Sequence, residues 1–317
     1  MLFLTEADVR ELLPMKDCIE SLRSAFQSLA DGHASNQPRR RLVMPGGAVL
    51  HQLAGYCQNY FGTKIYSTHL KHGANFLFLL YETETAKPVA LFEADFLGQI
   101  RTGAASGLAT DLMARGDAAT LAIIGSGHQA RSQAEAVCTV RPIREIRVWS
   151  RSEEKRSAYA IEMSGRLGIE VVAADTARDA VEGADIVCTA TWAKDPVIES
   201  GWIARGTHIN AMGTNVANRR EIPAEVVFRA NPVVVDSVEQ AKLEAGDLIQ
   251  AFGEDDWDWR VVGLEKAMSP GWQGSAPGDI TLFKSIGLAL EDVAAAALVY
   301  ERAKAATRGL ELPVLYS

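Results

Sequence analysis

Cysteine is scarce in this chain of 317 residues: Cys18, Cys57, Cys138 and Cys188 lie far apart, with no C-x-x-C pair and no histidine at ligand spacing. Neither a zinc site nor a disulfide framework follows from such spacing, and a reducing cytoplasm is the expected compartment. A basic excess is also missing. Thirty-two Lys and Arg against 40 Asp and Glu give a net charge of −8, which argues against nucleic-acid or anionic-membrane partners. Long hydrophobic runs are absent too: Val293–Tyr300 is apolar but short and flanked by charge. The N-terminus turns acidic at Glu6 and Asp8, so it lacks the basic start of a signal peptide. What remains is an ordinary globular composition, 48% hydrophobic and 23% charged, at a length that suits two domains.

The most informative stretch runs Ala122-Ile123-Ile124-Gly125-Ser126-Gly127-His128-Gln129-Ala130. A short apolar run ends in a G-x-G-x-x-A turn with a helical pattern behind it. Gly125 permits the tight turn, Gly127 admits a pyrophosphate close to the backbone, and Ala130 lets the helix pack on the sheet. The helix N-terminus then offers amide N–H groups to phosphates. Further apolar runs at Leu121–Ile124, Ile146–Trp149, Val171–Ala173, Ile186–Ala190, His208–Met212 and Val233–Val235 alternate with helical patterns at Ser132–Cys138 and Glu153–Leu167. Near-continuous apolar strands suit a parallel sheet covered on both faces. A doubly wound, Rossmann-type α/β domain over 115–290 is therefore predicted.

The first part of the chain reads differently. A helix is predicted over Met15–Ala30, followed by strands at Leu42–Met44, Val49–Leu53, Thr63–Leu70, Phe76–Tyr81 and Pro88–Phe92 with hairpin cues between them. This predicts an α+β domain over 1–114, joined by a final helix near Leu288–Thr307 and the remainder of 291–317. After the second strand of the dinucleotide domain stands Ser150-Arg151-Ser152, where NAD-selective sites place an acid for the ribose hydroxyls. Arg151 suits a 2′-phosphate, so NADP(H) is favoured over NAD(H), although Ser152 also reads as a simple helix cap.

Candidate chemical residues carry weaker local signals. Arg101-Thr102 precedes a run of small residues that reads as a helix start, where an arginine would clamp a carboxylate. Lys64 on a strand gains a proton-exchange role only if a closed cleft desolvates it. Arg39-Arg40-Arg41 reads as wet surface, and His51 is undecided. Asn215 follows the fifth strand at the carboxyl edge of the sheet, where open α/β folds bind ligands. Asp247 and the pair Glu291-Asp292 read as caps or surface charges.

Taken together, Pro38-Arg39-Arg40, Gly62-Thr63-Lys64, Ile100–Ser106, the Gly125–Ala130 turn, Ile209–Gly213 with Arg220-Glu221-Ile222, Val235-Asp236-Ser237 and Asp279–Asp292 resemble the ornithine cyclodeaminase/mu-crystallin family over essentially the whole chain. The resemblance implies a homodimer with an N-terminal dimerisation and substrate domain and a Rossmann domain, handling small imino or amino acids with NAD(P). It also implies that Arg40 and Arg101 hold the substrate carboxylate and that Lys64 assists proton transfer. Two departures stand out. His51 occupies a strand position where cyclodeaminases carry an acid, and Asn215 stands where they carry a catalytic aspartate. Leu53-Ala54-Gly55 likewise replaces the common Met-Pro-Ala.

The expectation is an NAD(P)H-dependent reductase of a small 2-imino acid such as pyrroline- or piperideine-2-carboxylate, with Asn215 orienting substrate or nicotinamide. Thr102, Gly125, Ser126, Gly127, His128, Gln129, Ala130, Ser150, Arg151 and Ser152 would hold the cofactor, and no metal is called for. The alternatives are ornithine or lysine cyclodeamination, an alanine-type dehydrogenase, and a non-catalytic NADP(H)-dependent ligand carrier.

Overall fold

The computed structural model describes residues 1–269, 271–272, 274–276 and 278–313. Its contacts divide the chain into two units, Met1–Arg101 with the stretch from Gly287 onward, and Thr102–Ile286. The sequence reading sets these divisions at 114/115 and 290/291.

The first unit opens with β1 (Leu2–Leu4), α1 (Glu6–Leu12) and α2 (Met15–Ala30). Thr5 starts α1 with a capping box shared with Asp8. On α2, Met15, Cys18, Ile19, Leu22, Ala25 and Phe26 recur at helical spacing and are all buried. Then come β2 (Ala34–Asn36), β3 (Arg40–Val43), β4 (Ala48–Cys57), β5 (Tyr60–His69), β6 (Gly73–Glu82) and β7 (Pro88–Glu93). The helix α3 (Asp95–Met113) carries Arg101, the last residue of this unit, in its interior.

The second unit runs β8 (Thr120–Ile124), α4 (His128–Val140), β9 (Glu145–Trp149), α5 (Glu153–Leu167), β10 (Glu170–Ala173), α6 (Ala177–Val181), β11 (Ile186–Thr189), β12 (His208–Ala211), α7 (Ala224–Arg229) and β13 (Ala230–Val235). It continues with α8 (Val238–Glu244), α9 (Gly246–Ile249), α10 (Asp256–Arg260), β14 (Val261–Gly263), α11 (Leu264–Ala267) and β15 (Ile280–Lys284). The strands form one parallel sheet in the order β10-β9-β8-β11-β12-β15-β13-β14. Alternate residues of β8 serve opposite faces: Leu121 and Ile123 join one buried cluster, Ala122 and Ile124 the other. Two covered faces explain why these strands read as unbroken apolar runs. The order reverses between β8 and β11, so the turns after them flank the switch point at which open α/β sheets bind ligands.

The chain ends with α12 (Ala289–Ala305) and β16 (Leu310–Glu311), both in the first unit. Here the sheet order is β16-β1-β7-β6-β5-β4-β2, with β3 beside β4; β1 and β7 are parallel and the other pairs antiparallel. Helix α12 packs on α2 and on β4 and β5, as Ser21 Oγ donating to Ala294 O at 3.0 Å illustrates. Gly55 permits this approach, since a Cβ there would lie 2.9 Å from the backbone nitrogen of Leu290. Thus the α+β unit and the doubly wound sheet expected from the sequence are both present.

Candidate functional site

In the first unit, β5 presents Lys64 to the helix-covered face of the sheet, where it is 3% exposed. Its Nζ donates to Asp292 Oδ1 at 3.0 Å. The same oxygen accepts from Arg101 Nε at 3.1 Å, and Arg101 Nη1 donates to Glu291 Oε2 at 2.7 Å. Arg101 is buried as well, and both carboxylates have no exposed surface. Arg39 is the third buried cation: its Nη2 donates to Gly287 O at 3.0 Å. Gly287 also lies against Arg101, because a Cβ on it would fall 2.6 Å from Arg101 Nη1. Gly98 plays the same part for Lys64, with a notional Cβ 2.6 Å from Nζ.

Three buried cationic side chains and two buried carboxylates thus gather within this unit. Guanidinium and ammonium donors of this kind suit a small anion such as a carboxylate. Burial pushes the Lys64 ammonium below its ordinary range; Asp292 opposes this and Arg101 reinforces it. A buried lysine whose pKa is drawn down is better suited to exchanging a proton.

Three expectations are corrected here. Arg40 opens β3 and is exposed, whereas Arg39, one residue earlier, is buried beside Gly287. Arg101 is not at a helix start: α3 begins at Asp95, so the arginine acts through its fork and its counter-ions rather than through a helix dipole. Glu291 and Asp292 do stand in the first turn of α12, yet they are fully buried partners of Lys64 and Arg101 rather than surface charges. The alanines around them were the available signal, since a helix apolar on all sides is buried and any acid inside it needs a cation.

His51 lies on β4, with Nε2 2.9 Å from Thr68 Oγ1 and its ring stacked on Tyr66 at 4.2 Å. Tyr66 stacks in turn on Phe76, whose ring centroid is 5.4 Å from Lys64 Nζ. Burial, with Arg41 and Arg39 adding to it, pushes His51 down to about 4, so the ring is neutral near pH 7.

In the second unit, Gly125 adopts φ +116°, and a Cβ there would strike Ala190 O at 2.5 Å. Only glycine fits this turn. Gly127 is the N-cap of α4 and is exposed, with no atom within 4 Å of a notional Cβ. No side chain caps α4 and no acid occupies its first turn, so its amides are placed to receive an anion. His128 is exposed, Gln129 half-buried and Ala130 fully buried against the sheet. Thr102 is buried and its carbonyl accepts from Gln133 Nε2 at 3.4 Å.

Ser126 Oγ donates to Ser150 Oγ at 2.9 Å, and Ser150 Oγ donates to Ser152 O at 3.2 Å. Ser152 caps α5 by accepting from Lys155 N at 3.2 Å, while Arg151 projects as an exposed residue. Asn215 is half-buried in the loop after β12. That loop is braced by a buried network absent from the sequence reading. Lys284 Nζ donates to Thr214 O at 2.7 Å and pairs with Asp247 Oδ2 at 2.8 Å, and Asp247 Oδ1 accepts from the Glu221 amide. Glu221 accepts from Thr191 N and from Gly213 N, both at 2.6 Å. Asp247, read as a cap or surface charge, is therefore corrected to a buried brace.

The family model for ornithine cyclodeaminase/mu-crystallin matches residues 1–307. The chain belongs to the ornithine cyclodeaminase/mu-crystallin family. One relative within it, a Delta(1)-pyrroline-2-carboxylate reductase of Bacillus cereus, is 39% identical over 236 residues, 74% of this chain and 72% of the relative. A solved structure of the same kind, Thermococcus litoralis Delta(1)-pyrroline-2-carboxylate reductase in complex with NADH and L-proline, is 35% identical. It covers 98% of this chain and 100% of its own, with a TM-score of 0.93. An archaeal alanine dehydrogenase dimer with bound NAD is 28% identical over 99% of each chain, with a TM-score of 0.90.

Proposed function

We propose that this protein reduces a small cyclic 2-imino acid, of the pyrroline-2-carboxylate class, to the corresponding amino acid at the expense of NAD(P)H. The observation that carries the reading is the buried set Arg39, Lys64 and Arg101, three cationic donors gathered in one unit, in a chain 39% identical to a pyrroline-2-carboxylate reductase. Arg39 and Arg101 hold the substrate carboxylate and so fix the position of its C2. Lys64 keeps the imine nitrogen protonated, or supplies the proton as the C=N bond becomes a C–N bond. The dinucleotide is held by the Gly125–Ala130 turn and the N-terminus of α4, which fit a pyrophosphate by the open space at Gly127 and the uncapped amides. The bound reduced nicotinamide supplies the hydride that C2 accepts. Asn215 orients by hydrogen bonds without exchanging protons.

The strand tip supports NADP(H) as the preferred cofactor. No acid stands at Ser150-Arg151-Ser152 to repel a 2′-phosphate, and Arg151 is exposed to receive one. A second copy of the chain covers the open face of the first unit's sheet, where Leu42, Tyr56, Ile65 and Leu77 share one face and are 63%, 38%, 38% and 47% exposed.

Cyclodeamination is disfavoured because neither His51 nor Asn215 supplies a carboxylate. The test is stoichiometry with a panel of cyclic and linear imino acids and both cofactors. Net oxidation of NADPH matching proline formed from pyrroline-2-carboxylate supports the reading. Ammonia release from ornithine without net cofactor change would replace it with cyclodeamination, and tight NADPH binding with no turnover would leave a ligand carrier.

A further inference from the structure

Glu291 and Asp292 have no assigned part in substrate or cofactor binding, yet they are the counter-ions of two groups that do. Burying a carboxylate is costly, and a buried ion pair commonly stabilises a fold no better than apolar residues of the same volume. Stability alone is therefore a poor reason for two fully buried acids side by side in one helical turn. Their division of labour is unequal. Asp292 Oδ1 accepts from both Lys64 Nζ and Arg101 Nε, at 3.0 and 3.1 Å, whereas Glu291 Oε2 accepts from Arg101 Nη1 at 2.7 Å. The second oxygen of Asp292 is buried with no hydrogen-bond partner among the described residues.

We propose that Asp292 is a positioning residue for imine reduction: one carboxylate oxygen aligns Lys64 with Arg101 and keeps Lys64 in its protonated, donor form, while Glu291 holds the Arg101 fork. This rests on the imine-reductase reading. The groups facing Lys64 define the expected sign. From α12 come Asp292 and Glu291, from α3 Arg101, from the segment before β3 Arg39, and from β6 the Phe76 ring; Cys18 of α2, its thiol pushed up by burial, borders the same cluster. Burial and both guanidinium groups favour loss of the Lys64 proton, and Asp292 is the group that opposes them. With the charge at 292 removed, the Lys64 proton should be lost at lower pH.

Asp292→Asn keeps the shape and removes the charge. With the whole protein, NADPH and pyrroline-2-carboxylate, the basic limb of the kcat/KM profile should move down by about 1–3 pH units. Glu291→Gln should leave that limb in place and raise KM by roughly tenfold, the scale of one charge-assisted hydrogen bond. A slower Asp292→Asn enzyme with an unmoved limb would mean a purely structural role and overturn the proposal. If Asp292→Asn does not fold, Asp292→Glu retains the charge and should keep the limb where it is; a limb that moved down would contradict the assignment. A titration of the Lys64 side chain by NMR with ¹⁵Nζ-labelled lysine, assigned through Lys64→Arg, reads the same shift without turnover. A shifted Lys64 titration in a protein that reduces no imino acid would sink the functional reading and leave the Asp292–Lys64 coupling standing. An unshifted titration would sink the coupling alone.

Discussion

Gly287 and Arg101 are in contact through an absence: a Cβ at position 287 would lie 2.6 Å from Arg101 Nη1, and Gly287 itself sits at φ +79°. Its carbonyl accepts from Arg39 Nη2, so one residue without a side chain lets two guanidinium groups converge. Gly287→Ala should strain the backbone by about 1–2 kcal/mol and push the Arg101 fork aside. The expected outcome is a KM for the imino acid raised by roughly tenfold or more with NADPH affinity unchanged. Steady-state kinetics alongside fluorescence titration of NADPH checks both halves.

Arg39 and Arg40 are neighbours in sequence with opposite expected effects. Arg39→Ala removes the buried cation proposed to hold the substrate carboxylate and should raise KM by about 10- to 100-fold. Arg40→Ala changes an exposed strand residue and should alter kcat/KM by no more than about twofold. Equal effects of the two substitutions on KM would remove Arg39 from the site.

Lys64→Ala should lower kcat by about 10²- to 10⁴-fold, the usual contribution of a positioned acid–base group. Cofactor affinity should be unaffected, because the turn proposed to hold the dinucleotide lies in the other unit. Unchanged kcat would exclude Lys64 from proton transfer.

Arg151→Ala should weaken NADPH by about tenfold or more and leave NADH nearly untouched, since the 2′-phosphate is its proposed partner. The ratio of kcat/KM for the two cofactors measures this directly. A ratio that does not change would return Arg151 to the role of a solvated side chain.

His51 and His208 make stability depend on pH. Burial is the main cause in each case; His51 is pushed down to about 4 with help from Arg41 and Arg39, and His208 to about 3 despite its hydrogen bond to Asn210. In the unfolded chain both return to about 6.5 and take up protons first as pH falls. Their contribution is thus complete above about pH 6.5 and is lost as pH falls through the folded values. Thermal unfolding midpoints should decline from pH 6.5 toward 4, and His51→Gln should make that decline shallower. Parallel declines for the two proteins would contradict the assignment.

Much of this was legible in the chain. The strand ending in Gly125-Ser126-Gly127, the helix Met15–Ala30 and the helix Glu153–Leu167 fall where the apolar periodicity places them, because each element's pattern matches the face it buries. Arg101 was misplaced because Gly103-Ala104-Ala105-Ser106-Gly107 resembles a helix start. Those small residues serve packing instead: a Cβ on Gly103 would meet Ser132 O of α4 at 2.5 Å. Three consecutive arginines carry no periodicity, so only the register of β3 against β4 separates Arg39 from Arg40. The burial of Glu291 and Asp292 is a long-range result of α12 settling on β4 and α2, and first-turn acids look alike whether they face water or a lysine.

The most direct measurement of the central claim uses NADPH carrying deuterium at its transferable position. Incubation with this protein and pyrroline-2-carboxylate should yield proline bearing one deuterium, located at C2 by mass spectrometry and NMR. Proline without deuterium, or none formed while the cofactor remains bound, would contradict reduction of an imine held by Arg39, Lys64 and Arg101.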